Sequence, residues 1–222
     1  MRRKGVFMEN NNIIEIVNFT KKFKNNVILK NINLSIKKGK CYGFVGLNGS
    51  GKTLIFKAIC GFIKPTSGHI IVSGKKIGSE VDFPENVGVL IEQPGFLPNY
   101  SAFENLQFLA GITNKIGRTE IENALQFVEL YPYERKKVKN YSMGMKQRLG
   151  IAQAIMEDPE ILILDEPLNG LDKDGVKIIK NKLLDLKKKG KTILLTSHIS
   201  QDIEELSDYI YEICDGNLKV LR

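Results

Sequence analysis

Residues 46–53, GLNGSGKT, follow a short apolar run of strand type, Cys41 to Val45 (CYGFV), and precede Leu54 to Cys60 (LIFKAIC), which can continue as a helix. Strand, glycine-rich loop and helix in that order are the context in which G-x-x-x-x-G-K-[ST] binds phosphate instead of merely turning the chain. Glycine lets the backbone curl until several N–H groups converge on one anion, and the positive end of the following helix adds its field. On this reading Lys52 reaches the β- and γ-phosphates of a nucleotide and the Thr53 hydroxyl holds Mg²⁺.

Other apolar runs end in polar residues. Ile161 to Glu166 (ILILDE) closes on two carboxylates and is stopped by Pro167. Adjacent acids at the end of a buried strand are costly unless something positive or polar meets them. In a phosphate-loop protein Asp165 would bind Mg²⁺ through water or through Thr53. Glu166 would be the base that orients and deprotonates an attacking water. Val87 to Ile91 reads as a buried-type strand ending at Glu92-Gln93-Pro94-Gly95, and Thr192 to Thr196 as another ending at Ser197-His198. The carboxyl ends of parallel strands open onto a ligand crevice, so Gln93 is expected to contact Mg²⁺ or water and His198 the γ-phosphate or the water.

Upstream, Ile13 to Phe19 alternates like a strand, and Val27 to Leu29 and Ile32 to Ile36 are two further β-rich pieces, together a small antiparallel sheet. Phe23 is stranded among polar residues, where a ring is either a partly exposed core residue or a surface for stacking a base. From Ser101 to about Asp158 the strand signals give way to helical periodicity. One apolar stripe is Phe103, Leu106, Phe108 and Leu109; another is Ile121, Leu125, Val128 and Leu130. Ser142 can cap the helix that runs through Leu149, Ala152 and Ile155, and with Gly144 makes a second candidate anion site. After the acids, Asn169 to Asp172 forms a turn into a helix buried through Val176, Ile179, Leu183 and Leu186.

The chain has 222 residues, a formal charge of +8 and three cysteines. That length supports one sizeable core. No stretch approaches the roughly 18 to 20 apolar residues that cross a bilayer, and the basic N-terminus lacks the apolar core of a secretion signal. Residues 1–7 are expected to be a disordered extension, with Met8 an alternative start. Cys41, Cys60 and Cys214 lie far apart in apolar runs and are expected to be core thiols in a reducing compartment. The lysines are scattered and interrupted by an acidic stretch near Asp202 to Asp208, so the basic charge reads as a solvated surface and a nucleic-acid partner is not expected.

Together these motifs resemble the ATP-binding subunit of an ATP-binding-cassette (ABC) transporter, from about Ile13 to Val220. The resemblance implies an α/β fold: a P-loop NTPase (RecA-like) core with an N-terminal antiparallel β subdomain and an inserted α-helical subdomain. It implies a single domain over 8–222, with its core at about 8–98 and 159–222 and the helical part at about 99–158. By similarity the nucleotide is held by Gly46, Leu47, Asn48, Gly49, Ser50, Gly51, Lys52 and Thr53, with Phe23 stacking on adenine in place of the commoner tyrosine. Asp165, Thr53 and Gln93 (the Q-loop) would bind Mg²⁺; Glu166, the switch histidine His198 and Gln93 would be catalytic. The signature YSMGM departs from the usual LSGGQ, with Tyr141, Met143 and Met145 replacing Leu, Gly and Gln. Ser142 and Gly144 remain, and in the family they contact the γ-phosphate of ATP bound to a second subunit. The variant, followed by KQRLGIA, looks like ATPases of separate-subunit exporters that confer resistance or immunity to peptide antibiotics. Implied partners are a second ATPase subunit and integral membrane permease subunits, which would hold the chain on the inner face of the cell membrane. The alternative is a soluble ABC ATPase acting on a ribosome or nucleic acid; those relatives usually carry two cassettes or a long coiled-coil insert.

Overall fold

Alternation of apolar and polar residues in the first part of the chain builds a twisted antiparallel sheet. The computed structural model describes residues 11–130 and 135–222; the expected extension over residues 1–7 and the alternative start at Met8 lie outside them. Strand β1 (Asn12–Phe23) pairs with β2 (Asn26–Lys37). The two short pieces expected at 27–29 and 32–36 are one strand, because Asn31 absorbs an extra residue in the left-handed region (φ 47°) and donates its N–H to Thr20 Oγ1. Asn18 (φ 48°) makes the matching bulge in β1, its N–H bonded to Asn33 Oδ1. Bulges keep Ile16, Phe19, Leu29, Ile32 and Leu34 on the buried face despite the change of register.

The chain then enters a second sheet through β3 (Cys41–Val45), crosses by α1 (Lys52–Ile59), and returns to the first for β4 (Ser67–Val72) and β5 (Lys75–Lys76). Strand β6 (Val87–Leu90) follows, then α2 (Ala102–Thr113), α3 (Arg118–Phe127) and α4 (Met143–Ile155). The core resumes with β7 (Ile161–Leu164), α5 (Lys173–Lys188), β8 (Thr192–Thr196), α6 (Ser200–Leu206) and the hairpin β9 (Tyr209–Cys214) and β10 (Asn217–Val220). The second sheet runs β10-β9-β3-β8-β7-β6, parallel throughout except for the antiparallel edge β10. Every residue of β7 and β8 is buried, as strands covered on both faces require. Strand β6 is instead an edge strand that alternates between buried and half-buried residues, and it ends at Leu90, one residue earlier than its apolar run.

Gly88 lets α4 approach that edge: a Cβ there would meet the Ala154 carbonyl oxygen at 1.9 Å. In α2 the expected apolar stripe faces the core through Phe103, Leu106 and Leu109, with Phe108 the exception. Leu106 is buried, but Phe108 is 47% exposed and packs edge-on against Tyr100, with ring centroids 5.1 Å apart. Asn105 takes the inward position, because its amide accepts from Leu97 N–H and donates to the Leu97 and Ser101 carbonyls, satisfying a buried polar group. The stripe of α3 and its exit, Ile121, Leu125, Val128 and Leu130, is buried. Cys41 and Cys60 are buried as expected, whereas Cys214, on the edge hairpin, is half-buried. Among the described residues no helix is long and apolar enough to cross a membrane.

Candidate nucleotide site

The carboxyl ends of β3, β6, β7 and β8 deliver their following loops to one edge of the parallel sheet. After β3, residues 46–51 curl back on themselves, with Ser50 N–H bonded to the Leu47 carbonyl and Ile55 N–H to that of Gly51. Gly51 has φ 110°, and a Cβ there would also lie 2.8 Å from Leu29 Cδ2, so only glycine fits. Lys52 is 7% exposed; its ammonium donates to the carbonyls of Gly46 (2.8 Å) and Leu47 (3.1 Å) and so spans the loop. Ser50 Oγ is buried with no hydrogen-bond partner among the described residues. A buried hydroxyl without a partner in this loop leaves a donor for an anionic ligand.

The cleft beside this loop has a volume of about 510 Å³ and is lined by Phe23, Lys52, Thr53, Glu92, Asp165 and Glu166, among others. Phe23, at the end of β1, leaves half its surface open, with the Lys21 ammonium 5.0 Å from the ring centroid. A ring so presented offers its face to a planar base.

Strand β7 is pinned to β6 at its end by Asp165 N–H donating to the Leu90 carbonyl. Asp165 Oδ2 accepts from Thr53 Oγ1 at 2.6 Å and Oδ1 from Thr196 Oγ1 at 2.7 Å. The same Thr196 hydroxyl accepts from Glu166 N–H at 2.7 Å. Thr53 and Asp165 thus present hard oxygen donors side by side, the set that suits Mg²⁺. Glu166 stands in the left-handed region (φ 50°), and its Oε2 lies 2.9 Å from His198 Nδ1 and accepts from His198 N–H at 3.2 Å. A carboxylate accepts, so this contact is a hydrogen bond when Nδ1 carries a proton, which leaves Nε2 directed elsewhere.

Gln93 is not brought to this cleft. Glu92 adopts φ 60°, where the chain leaves β6. Glu92 faces the phosphate loop, its carboxylate 2.5 Å from the Lys57 ammonium of α1, while Gln93 lines a separate hollow with Pro94, Met143, Lys146 and Gln147. Of the two polar residues after β6, Glu92 lines the cleft and Gln93 the neighbouring hollow. Sequence reasoning also missed Thr196, which bridges the two acids, and Gln147, whose amide donates to the Glu166 carbonyl at 2.9 Å. A threonine closing an apolar strand beside the acid strand was the available signal for Thr196.

Ser142 caps α4, its Oγ accepting from Met145 N–H at 3.2 Å. With Gly144, Met143, Met145, Gly170 and Asp172 it lines a second cleft of about 550 Å³. Met143 lies over Gly170, where a Cβ would be 2.7 Å from its Cγ. The clefts holding Lys52 and Ser142 have no lining residue in common.

A phosphate loop, paired acids and a histidine at the carboxyl edge of a parallel sheet define a P-loop nucleoside triphosphatase. Residues 29–169 match the ABC transporter family, and the chain belongs to that family as an ATP-binding, ATP-hydrolysing subunit of a transporter. It is 44% identical over 207 residues to the uncharacterized ABC transporter ATP-binding protein YybJ of Bacillus subtilis (strain 168), spanning 93% of this chain and 95% of YybJ. It is 41% identical over 208 residues to the bacitracin transport ATP-binding protein BcrA of Enterococcus faecalis, spanning 93% of this chain and 68% of BcrA. In three dimensions it resembles MJ0796, described as a bacterial ABC transporter cassette and solved as a dimer, with a TM-score of 0.83 and 27% identity over 94% of this chain and 99% of MJ0796.

Proposed function

We propose that this subunit energises export of a peptide antibiotic through separate integral membrane subunits, which hold it on the inner face of the membrane, and that it works as a dimer of cassettes. The observation that carries the dimer is the separation of the two clefts. Ser142 and Gly144 line a cleft that shares no residue with the phosphate site of their own chain, which supports their being supplied by a second cassette. MJ0796 is a dimer, and a further MJ0796 structure is a post-hydrolysis state bound to ADP and Pi. The substrate class is supported by the relatives: BcrA is named for bacitracin transport, and SrtF of Streptococcus pyogenes, 38% identical, for lantibiotic transport. The basic charge is scattered, which leaves the alternative of a ribosome or nucleic-acid ATPase without a supporting surface.

In this reading residues 46–53 cradle the phosphates, Lys52 turns from its carbonyl partners to the β- and γ-phosphates, and Phe23 stacks on the base. Thr53 and Asp165 hold Mg²⁺, which when bound neutralises charge on the phosphate oxygens. Glu166 takes the proton of the attacking water, and His198 holds the Glu166 carboxylate and offers its second nitrogen toward the γ-phosphate. Gln93 is the Q-loop residue that reaches Mg²⁺ or the water, while Glu92 lines the cleft paired with Lys57. A 13-residue α4 carrying Ser142 and Gly144 at its N-terminus presents N–H groups to the partner's ATP.

The test is size-exclusion chromatography of Glu166→Gln with Mg²⁺ and ATP. A stable dimer that retains ATP is expected, and it should dissociate when Ser142→Arg is added. A chain that binds ATP yet stays monomeric would sink the shared-site reading.

A further inference from the structure

Helix α4 sits on β6 at several points. Besides the close approach at Gly88, a Cβ at Gly150 would meet Leu90 Cδ1 at 2.7 Å and Pro94 Cγ at 3.0 Å, so α4 has no room to shift toward the sheet. One turn before Gly150 is Gln147, on a face that i, i+3 spacing shares with it. Its amide crosses 19 residues of sequence to donate to the Glu166 carbonyl at 2.9 Å. That carbonyl also accepts from Asn169 N–H at 3.1 Å within the local turn, so Gln147 supplies the bond that ties it to another element. Glu166 needs such support, because a β-carbon-bearing residue at φ 50° is held there only by its surroundings. Thr196 fixes its N–H, His198 its carboxylate, and Gln147 its carbonyl.

We infer that Gln147 is a positioning residue for hydrolysis. It ties the backbone of Glu166 to the helix whose first turn bears Ser142 and Gly144, so that the seating of that helix sets where the Glu166 carboxylate points. When a partner's nucleotide engages Ser142, α4 is held in its seat and the base is aligned; when α4 shifts, the bond to the Glu166 carbonyl is lost and the base turns away. This rests on the reading of Glu166 as the general base. Gln147 also borders the hollow with Gln93 and Pro94, so the loop after β6 bears on the same helix.

The experiment is a double-mutant cycle on the full chain, read by release of radiolabelled phosphate. Gln147→Met removes the donor at nearly constant volume, and Gln147→Glu keeps the shape but cannot donate. Both are expected to lower kcat by about tenfold while KM for ATP stays within about twofold, the split expected when a group acts on the reacting geometry and not on substrate binding. In a Glu166→Gln background neither should lower the residual turnover further. Thermal melting within a few degrees of the unsubstituted chain, for at least one of the two, separates positioning from folding. A full tenfold loss on top of Glu166→Gln, or an unchanged kcat in both single variants, overturns the proposal. A Glu166→Gln chain that turns over at the unsubstituted rate overturns the general-base reading and this proposal with it, whereas an additive cycle overturns this proposal alone.

Discussion

Thr196 Oγ1 lies 2.7 Å from Asp165 Oδ1, and the hydroxyl that donates there also accepts the N–H of Glu166. One buried side chain on β8 thus sets the relative position of the two acids that end β7. Thr196→Val keeps the shape and removes both bonds, leaving the part-buried Glu166 N–H without its partner. The expected result is a loss of about 1–3 kcal/mol in unfolding free energy and a fall in ATP turnover on the order of 10- to 100-fold. Thr196→Ser should recover most of both. Denaturant titration and phosphate release decide it: a valine variant with unchanged turnover shows that the bridge is dispensable.

The packing of α4 on β6 gives a prediction about glycine. Gly88→Ala would drive a Cβ to 1.9 Å from the Ala154 carbonyl and 2.7 Å from Pro159 Cγ, with backbone on one side and a rigid ring on the other. A loss of about 2–3 kcal/mol is expected, because a close-packed contact cannot absorb the methyl without moving the helix. Gly111, inside α2, has nothing within 4 Å of the same construction, so Gly111→Ala should stabilise by about 0.5–1 kcal/mol through helix propensity alone. Midpoints of urea unfolding that fail to move in opposite directions would contradict this account of the two sites.

What could be read along the chain was chemistry concentrated in neighbouring residues at the ends of apolar runs: residues 46–53 after β3, and Asp165 with Glu166 after β7. Thr196 and Gln147 act through contacts made across 31 and 19 residues, and a threonine or glutamine carries no local mark of such a contact. Which of Glu92 and Gln93 lines the cleft depends on the path of the loop after β6, which two adjacent polar residues do not reveal. Two strand pieces became one because an asparagine accepted a left-handed bulge, which composition alone reads as a break. The stripe on α2 held for Phe103, Leu106 and Leu109, but Asn105 buries itself by satisfying its own amide while Phe108 goes to the surface. Periodicity weighs hydrophobicity and cannot see a satisfied polar side chain.

The cysteines divide by burial. Burial pushes the Cys41 and Cys60 thiols up to about 12, so neither forms the reactive thiolate near neutral pH, while Cys214 is half-buried on the edge hairpin. An aromatic disulfide reagent at about pH 8 should label one thiol per native chain, lost in Cys214→Ser, and all three after denaturation. Rapid labelling of more than one native thiol would show that the core around β3 or the end of α1 opens readily.

Acid should weaken the joint between α5 and β3. Asp208 Oδ2 accepts from Cys41 N–H at 2.8 Å and Oδ1 pairs with Lys187 at 2.8 Å. Burial on its own would raise the Asp208 carboxyl, but the Cys41 N–H and the Lys187 ammonium outweigh it and hold the carboxyl below its ordinary value of 3.8. A carboxyl depressed in the folded state adds stability that is complete above the unfolded value and is lost as pH falls through the folded one. Asp208→Asn should therefore cost about 1 kcal/mol near pH 7, a figure reduced for partial exposure, and the gap to the unsubstituted chain should close at pH well below 3.8. Paired urea titrations across that range measure it. A gap that persists unchanged into acid would mean that the asparagine acts through packing and not through the lost charge.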